Sequence, residues 1–171
     1  GRLLCTGSRD GTARIFDVTT GEEVRRWKHD GGVLSARFSG NGSLLCTGSA
    51  DWTARIFAVA TGEELKCMKH DRRVRVARFS GDGRLLCTGS RDGTARIFDV
   101  TTGEEVRRWK HDGGVLSARF SGNGSLLCTG SADWTARIFA VATGEELKCM
   151  KHDRRVRVAR FSGDGRLLCT G

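Results

Sequence analysis

The sequence has no proline, no tyrosine and no apolar run long enough to cross a membrane among its 171 residues. A transmembrane helix needs roughly 18 or more consecutive apolar residues, so that class of protein is excluded. The seven cysteines are odd in number and include no CxxC pair, which argues against a disulfide framework and against a zinc site. The first residues lack a basic segment followed by an apolar one, so no signal peptide is expected.

Positive charge exceeds negative charge, with 29 Lys and Arg against 20 Asp and Glu and a net charge of +9. The excess is spread evenly along the chain and forms no basic tail or arm. Such a surplus attracts nucleic acid or acidic surfaces, but it also keeps a protein soluble. Charge alone therefore leaves both a binding role and a structural role open.

An exact internal duplication dominates the sequence. Residues 1–41 align without gaps on residues 42–82, with 27 identities and 14 differences, and residues 83–171 then repeat residues 1–89 letter for letter. We treat the chain as one segment, 1–171, with the order A-B-A-B: units 1–41, 42–82, 83–123 and 124–164, followed by an extra strand copy at 165–171. Natural duplications drift, above all in exposed loops, so this identity favours a designed origin over an evolved one.

Each unit divides into four short segments that turn residues separate. Apolar and polar positions alternate at strand spacing, which predicts four strands, here called a to d: Val33–Ser39, Leu44–Gly48, Thr53–Val59 and Glu63–Met68. The residues of strand d also favour helices, but six residues between turns are too few to hold a helix alone. The cysteines, most of them in the repeated LLCTG segment, are expected to be small buried residues on strands.

The repeat resembles the WD-repeat family in the segment FSGNGSLLCTGSADWTARIFAVATGEE, and the resemblance covers all 171 residues. A repeat of about 40 to 45 residues is typical of that family. The resemblance implies an all-β, WD-type β-propeller with four four-stranded blades per chain. Phe16-Asp17 and Phe57-Ala58 stand where the family has Trp-Asp. More narrowly, the two-blade alternation resembles computationally symmetrised eight-bladed propellers, which implies two chains in one ring.

The same resemblance implies a repeated structural network at one end of each blade. A His before strand a is expected to bond the Asp of the b–c turn and a hydroxyl of strand b. The expected sets are His29 with Asp51 and Thr47, His70 with Asp92 and Thr88, His111 with Asp133 and Thr129, and His152 with Asp10 of the partner subunit. Phe in place of Trp removes an indole donor, so each network is expected to lose one member. A catalytic triad uses the same residue types, but a hydroxyl inside a strand lacks the sharp turn that exposes a nucleophile.

The differences between units A and B cluster on one rim of the expected propeller. Unit A offers Arg9, Gly11, Gly31 and Gly32, and unit B offers Ala50, Trp52, Arg72, Arg73 and Arg75, with copies at Trp134, Arg154, Arg155 and Arg157. Arg and Trp on one rim are typical of a face that binds nucleic acid or acidic peptides. We favour the other interpretation, in which Trp and Arg of one blade pack over Gly-Gly of the next. Arg37 and Arg78 are expected near the central channel.

A chain with four blades can close alone into a four-bladed ring or join a second copy in an eight-bladed ring, and we expect the second copy. Strand a of the first blade comes only at Val156–Ser162, and Gly165–Gly171 duplicates strand b of Gly1–Gly7, so one copy should be displaced. The sequence therefore predicts a designed, self-assembling scaffold that forms a homodimer, with no catalytic residue, metal or cofactor. Membrane and nucleic acid are not expected as partners. The alternative is a binding module that uses the basic, Trp-bearing rim.

Overall fold

The computed structural model describes residues 2–171, which form antiparallel β-sheets and, within that range, no helix. The described strands are β1 (Leu3–Gly7), β2 (Thr12–Asp17), β3 (Glu23–Lys28), β4 (Val33–Phe38), β5 (Leu44–Ser49), β6 (Thr53–Ala58), β7 (Glu64–Lys69), β8 (Val74–Phe79), β9 (Leu85–Ser90), β10 (Thr94–Asp99), β11 (Glu105–Lys110), β12 (Val115–Phe120), β13 (Leu126–Ser131), β14 (Thr135–Ala140), β15 (Glu146–Lys151), β16 (Ala159–Phe161) and β17 (Leu168–Thr170). The described chain has no helix long and apolar enough to cross a membrane.

Consecutive strands pair as neighbours and build blades of the predicted kind. Three blades have four strands each, in the orders β4-β5-β6-β7, β8-β9-β10-β11 and β12-β13-β14-β15. Strand d of each unit is an outer strand (β3, β7, β11 and β15), not a helix, as predicted. The charged residues of these outer strands suit an exposed edge, where they discourage pairing with other chains. The predicted all-β class with four-stranded blades is confirmed.

The two ends of the described chain carry incomplete sheets. At one end the sheet β1-β2-β3 has no fourth, inner strand, and at the other end β16, which copies the inner strand of a unit, pairs only with β17. Within residues 2–171 no strand pairing joins these two sheets, so the blades form an open row. The pairing of Ala159 with Thr170 copies that of Ala36 with Thr47, so β17 takes the place of a strand b in its sheet. The duplicated strand copies therefore lie in separate sheets.

The apolar core lies between neighbouring blades. One cluster joins Ile56 and Met68 of the second sheet to Val74, Leu86 and Phe98 of the third. Clusters of the same kind join the first sheet (β1–β3) to the second (β4–β7) and the third (β8–β11) to the sheet β12–β15. Each blade contributes one apolar face to each side, so a blade without a neighbour leaves one face uncovered.

The burial of each cysteine depends on whether a neighbouring blade covers its strand. Cys46, Cys87 and Cys128 of strand b are buried, and burial raises the pKa of the Cys87 thiol to about 12. The expectation that the cysteines are buried is wrong for three exposed ones, Cys67, Cys149 and Cys169, and Cys5 is only partly buried. The first two lie on outer strands, where no further strand covers them, and the other two lie on the incomplete sheets at the two ends of the described chain.

The turn between strands b and c holds an unusual backbone conformation. Trp52 and Trp134 have φ angles of 73° and 70°, whereas Gly11 and Gly93 stand at the same place in the other blades with φ of 84° and 85°. Glycine adopts this left-handed region without the clash that a Cβ atom causes. Trp52 is also 52% exposed, so little packing compensates for the strain.

We expect Trp52→Gly to raise the free energy of unfolding by about 1 kcal/mol, because it removes a left-handed non-glycine residue. The reciprocal change Gly93→Ala should lower it, since a Cβ atom there would lie 2.8 Å from the carbonyl oxygen of His111. Urea unfolding of both variants measures the two effects. A Trp52→Gly protein less stable than the parent would show that the exposed indole contributes more than the strain costs.

Candidate functional site

A buried hydrogen-bond network lies at the end of each complete blade. His29 follows β3 and enters the next blade, where its Nδ1 lies 2.8 Å from Asp51 Oδ2 and its Nε2 lies 2.9 Å from Thr47 Oγ1. The carboxylate also accepts bonds from the backbone N–H and the hydroxyl of Thr53, which fixes the b–c turn. The network thus joins the loop that enters a blade to two strands of that blade.

The other two complete blades repeat this geometry. His70 lies 3.1 Å from Asp92 and 3.0 Å from Thr88. His111 lies 3.0 Å from Asp133 and 2.9 Å from Thr129. The structure therefore brings together the residues that the sequence placed in these three sets.

The residues of the fourth set lie at the two ends of the described chain and do not meet. His152 Nε2 lies 3.1 Å from the hydroxyl of Thr170 on β17, the extra strand copy. Asp10 lies on the first sheet, where it is exposed and accepts bonds from Thr12 and Arg14. The expected pair of His152 with Asp10 of the partner subunit stays a prediction.

An arginine on strand c adds a further member to each network, one that the resemblance to the family did not predict. Arg55 Nη2 lies 3.2 Å from Asp51, and its Nε donates to Thr53 at 3.1 Å. Arg14, Arg96 and Arg137 repeat this arrangement. The arginine gives the Asp a charged donor but makes no bond to the strand-b hydroxyl, so it does not replace the indole donor whose loss the sequence predicts. The signal was an Arg four residues after each turn Asp.

Aromatic packing surrounds the network where the family has its Trp. The Phe57 ring meets the His29 ring edge-on, with centroids 6.3 Å apart. The Trp27 ring of the preceding blade packs against the Phe57 ring, with centroids 5.0 Å apart. The Trp27 indole also donates to the carbonyl oxygen of Gly62 at 2.8 Å. Trp109 repeats both contacts. The tryptophan of strand d thus joins two blades, a role that its position on an outer strand did not reveal.

The protonation states follow from burial and hydrogen bonding. Burial lowers the pKa of His29 more than its bond to Asp51 raises it, so the imidazole stays neutral. Burial alone would raise the pKa of Asp51, but bonds from Thr53 and His29 outweigh it and lower the pKa to about 2. Nδ1–H therefore donates to the carboxylate, and Nε2 accepts from Thr47. The hydroxyl is fully buried, so it has no access to a substrate.

The rim carries exposed Trp and Arg side chains, and its packing differs from our preferred interpretation. Trp52 lines an open pocket with Arg72, Arg73 and Arg91 of the next blade. A Cβ atom on Gly32 would lie 3.1 Å from the Cα of Arg9, so Gly-Gly packs against the Arg-bearing turn of the preceding blade. The predicted contact of Arg with Gly-Gly of the next blade is therefore present, whereas Trp52 lies beside Arg72 and Arg73 and not over Gly-Gly. Trp134 lines a matching pocket with Arg154, Arg155 and Arg157.

A row of arginines follows the inner strands. Burial and the charges of Arg119 and Arg37 on the neighbouring inner strands together lower the pKa of Arg78 to about 10. Arg160 acts on Arg119 in the same way. These guanidinium groups are therefore close enough to repel one another, and no ion pair within residues 2–171 includes any of the four. The row lies on the side where a closed propeller has its channel.

Comparison with known proteins gives one clear family match. A family model described as WD domain, G-beta repeat matches residues 1–17, 21–57, 62–99 and 103–139. A search of curated protein sequences gives no significant match. Across residues 2–171, no group of three or more His, Cys, Asp or Glu side chains is placed to hold a metal ion.

The network predicts acid sensitivity in two steps. In the unfolded chain His titrates near pH 6.5 and Asp near pH 3.9. The pKa values of His29, His111 and Asp51 are lower in the fold, so the unfolded state binds more protons as pH falls. Stability should fall below about pH 6.5 as the unfolded histidines take up protons. It should fall again below about pH 4, with Asp51 accounting for about 2 kcal/mol.

Urea unfolding of the parent and of a His29→Gln, His111→Gln variant between pH 8 and pH 3 measures this effect. The variant should be less stable at pH 8 but should lose less stability between pH 7 and pH 5. An unchanged slope over that range would contradict the neutral state of the two imidazoles.

Proposed function

Because this chain belongs to the WD-repeat family of β-propellers, we propose that it is a self-assembling scaffold in which two copies close an eight-bladed ring. WD repeats form propellers that act as scaffolds or binding modules, and most are not enzymes. The observation that carries the proposal is the pair of incomplete sheets, one with outer strands and one with an inner strand, at opposite ends of one open row.

The uncovered face of the first sheet supports this proposal. Leu4 on β1 is 54% exposed, whereas its counterparts Leu45, Leu86 and Leu127 are fully buried between blades. Full burial of a Leu side chain contributes about 1.5 to 3 kcal/mol, so a neighbouring blade on this face would stabilise the protein. In addition, β1 pairs on one edge only, with β2, and its other edge is the place of an inner strand.

A second copy of the chain supplies that inner strand. In the proposed ring, β1 of one subunit displaces β17 of the other and pairs with β16. The displaced strand holds only three residues, as does its partner β16, whereas the inner strands β4, β8 and β12 each have six. His152 would then face Asp10 of the partner subunit, which completes the fourth network. Exchange of identical elements between subunits is a low-cost route to a dimer.

The alternation of units fits a closed ring with an even number of blades and a designed origin. A ring of A-B-A-B chains keeps every A unit between two B units, including at the seams. The exact duplication of 82 residues also fits a symmetrised design, and the chain resembles in form the designed eight-bladed propellers called Ika. A symmetrised scaffold needs no natural ligand, cofactor or membrane partner.

The rim gives a second candidate function, a module that binds single-stranded nucleic acid. Its supporting observation is the exposed Trp52 beside Arg72 and Arg73, since bases stack on aromatic rings while arginines contact phosphates. We rank it second because the alternation of blades is explained without any ligand.

The scaffold proposal predicts a molar mass in solution of twice the 18.6 kDa of one chain. Leu4→Asp should give single chains, because the charged side chain would be buried at the seam. Leu168→Asp, the same change in the duplicate strand that is displaced, should leave the dimer intact and serves as the control. Light scattering at micromolar concentration measures all three proteins. A parent mass of 18.6 kDa would contradict the proposal.

The rim function predicts salt-dependent binding of an oligo-dT probe. Neutralising four arginines, Arg72, Arg73, Arg154 and Arg155, by change to Gln should abolish it, because phosphate contacts dominate such affinities. Fluorescence anisotropy at low and high salt measures the binding. Absence of binding to the parent at low salt would remove this candidate and leave the scaffold proposal unaffected.

A further inference from the structure

A cavity with several arginines lies over the third complete blade, β12–β15. Its volume is about 520 Å³, and it is lined by Arg75, Arg91, Gly114, Leu116, Ala132, Arg155 and Arg157. Arg75 and Arg91 come from the blade before it, and Arg155 and Arg157 come from the segment that leads to β16 after it. The middle blade contributes only uncharged residues to the lining.

The middle blade leaves room because its residues are small where its neighbours are large. Gly114 and Ala132 occupy the positions that Arg73 and Arg91 hold in the preceding blade. A Cβ atom on Gly114 would lie 3.3 Å from both Cα and Cγ of Arg91, so this arginine lies directly against the glycine. Leu116 stands where the flanking blades have Arg75 and Arg157. The alternation of units thus produces a depression with two basic walls.

The charges of the walls have no partners within the part of the chain that the structure describes. None of the four arginines takes part in an ion pair in residues 2–171, and no carboxylate lines the cavity. Asp71 and Asp153 line the two neighbouring pockets that contain Trp52 and Trp134 instead. An anion in the cavity would therefore relieve repulsion between like charges without displacing an existing ion pair.

We propose that this cavity binds a compact oligophosphate, a small molecule with several phosphate groups. Its volume lies within the range of small-molecule sites, roughly 300 to 1,000 Å³. A guanidinium group binds phosphate oxygens with two parallel hydrogen bonds, which lysine cannot do. Because the arginines come from two blades with a third blade between them, a chain of phosphates contacts both walls, whereas a single phosphate contacts one.

This site goes beyond the proposed scaffold function and needs no residue of a second subunit. All seven lining residues belong to one chain and lie between Arg75 and Arg157. It shares Arg91, Arg155 and Arg157 with the two pockets of the nucleic-acid candidate, but neither Trp52 nor Trp134, on which bases would stack, lines it. Failure of the dimer or of oligo-dT binding therefore leaves this proposal to be judged by its own test.

Calorimetric titration with inorganic tripolyphosphate at low salt tests the proposal. The parent should show saturable binding, and the triple variant Arg75→Gln, Arg91→Gln, Arg157→Gln should lose at least tenfold in affinity. The matched control is Lys28→Gln, Lys69→Gln, Lys110→Gln, which removes the same charge from three exposed lysines at the ends of the outer strands. It should change the affinity less than twofold. Monophosphate should bind the parent at least tenfold more weakly than tripolyphosphate.

A second variant keeps the test valid if the triple variant folds poorly. Leu116→Glu places a carboxylate in the cavity at a position where the neighbouring blades carry a charged residue, so the fold should tolerate it. It should also lose at least tenfold in affinity while the circular dichroism spectrum stays unchanged. Equal weakening in the arginine and lysine variants, unchanged binding in Leu116→Glu, or no saturable binding to the parent would overturn the proposal.

Discussion

Each sheet of this protein buries its apolar side chains only against the sheet beside it. Leu45 and Ile56 are fully buried because other blades cover the two faces of their sheet, and Leu4, in the equivalent strand of the first sheet, is 54% exposed because that cover is absent. A single blade therefore has no independent core, and the number of blades must grow until the row closes. The networks, the rim and the cavity all depend on this packing, since each includes residues from more than one blade or from the loop between blades.

The polar groups reinforce the same contact between blades. His29 lies in the loop that leaves one blade, yet its two bonds go to Asp51 and Thr47 of the next. Trp27 crosses the same boundary to contact Phe57 and the carbonyl oxygen of Gly62. A buried imidazole without these partners would cost free energy, so the angle between blades is held by hydrogen bonds as well as by packing. The acid sensitivity of the network is therefore also a sensitivity of the contact between blades.

The sequence was most informative where the repeat constrains each position several times. It predicted the strands and their order, and the resemblance placed His29, Asp51 and Thr47 together. It did not reveal the role of Arg55, because an arginine on a strand next to a turn is usually a solvated residue. Nor did it predict the exposure of Trp52: only the backbone shows that the indole occupies a left-handed position that glycine fills in the other blades.

The arginines of the rim and of the inner strands were harder to predict, because the directions of their side chains depend on local irregularities of the backbone. A register shift between Val33 and Ser35 rotates the start of the inner strand relative to its partner. The copies at Val74 and Val115 show the same shift. A strict alternation of faces, which sequence reasoning assumes, fails at such a shift. Side-chain direction along the first residues of an inner strand therefore needs the structure.

The duplicated strand determines which interactions can stabilise the proposed dimer. β17 repeats the residues of β1 and already pairs with β16, so exchange of one for the other replaces hydrogen bonds with nearly equal ones. The net gain must then come from burial of the face that carries Leu4 and from the longer pairing that β1 allows. The inner row of like-charged arginines opposes ring closure, because closure brings further guanidinium groups toward the central channel. The balance of these terms makes the dimer sensitive to salt, which screens the repulsion and leaves the apolar contact unchanged.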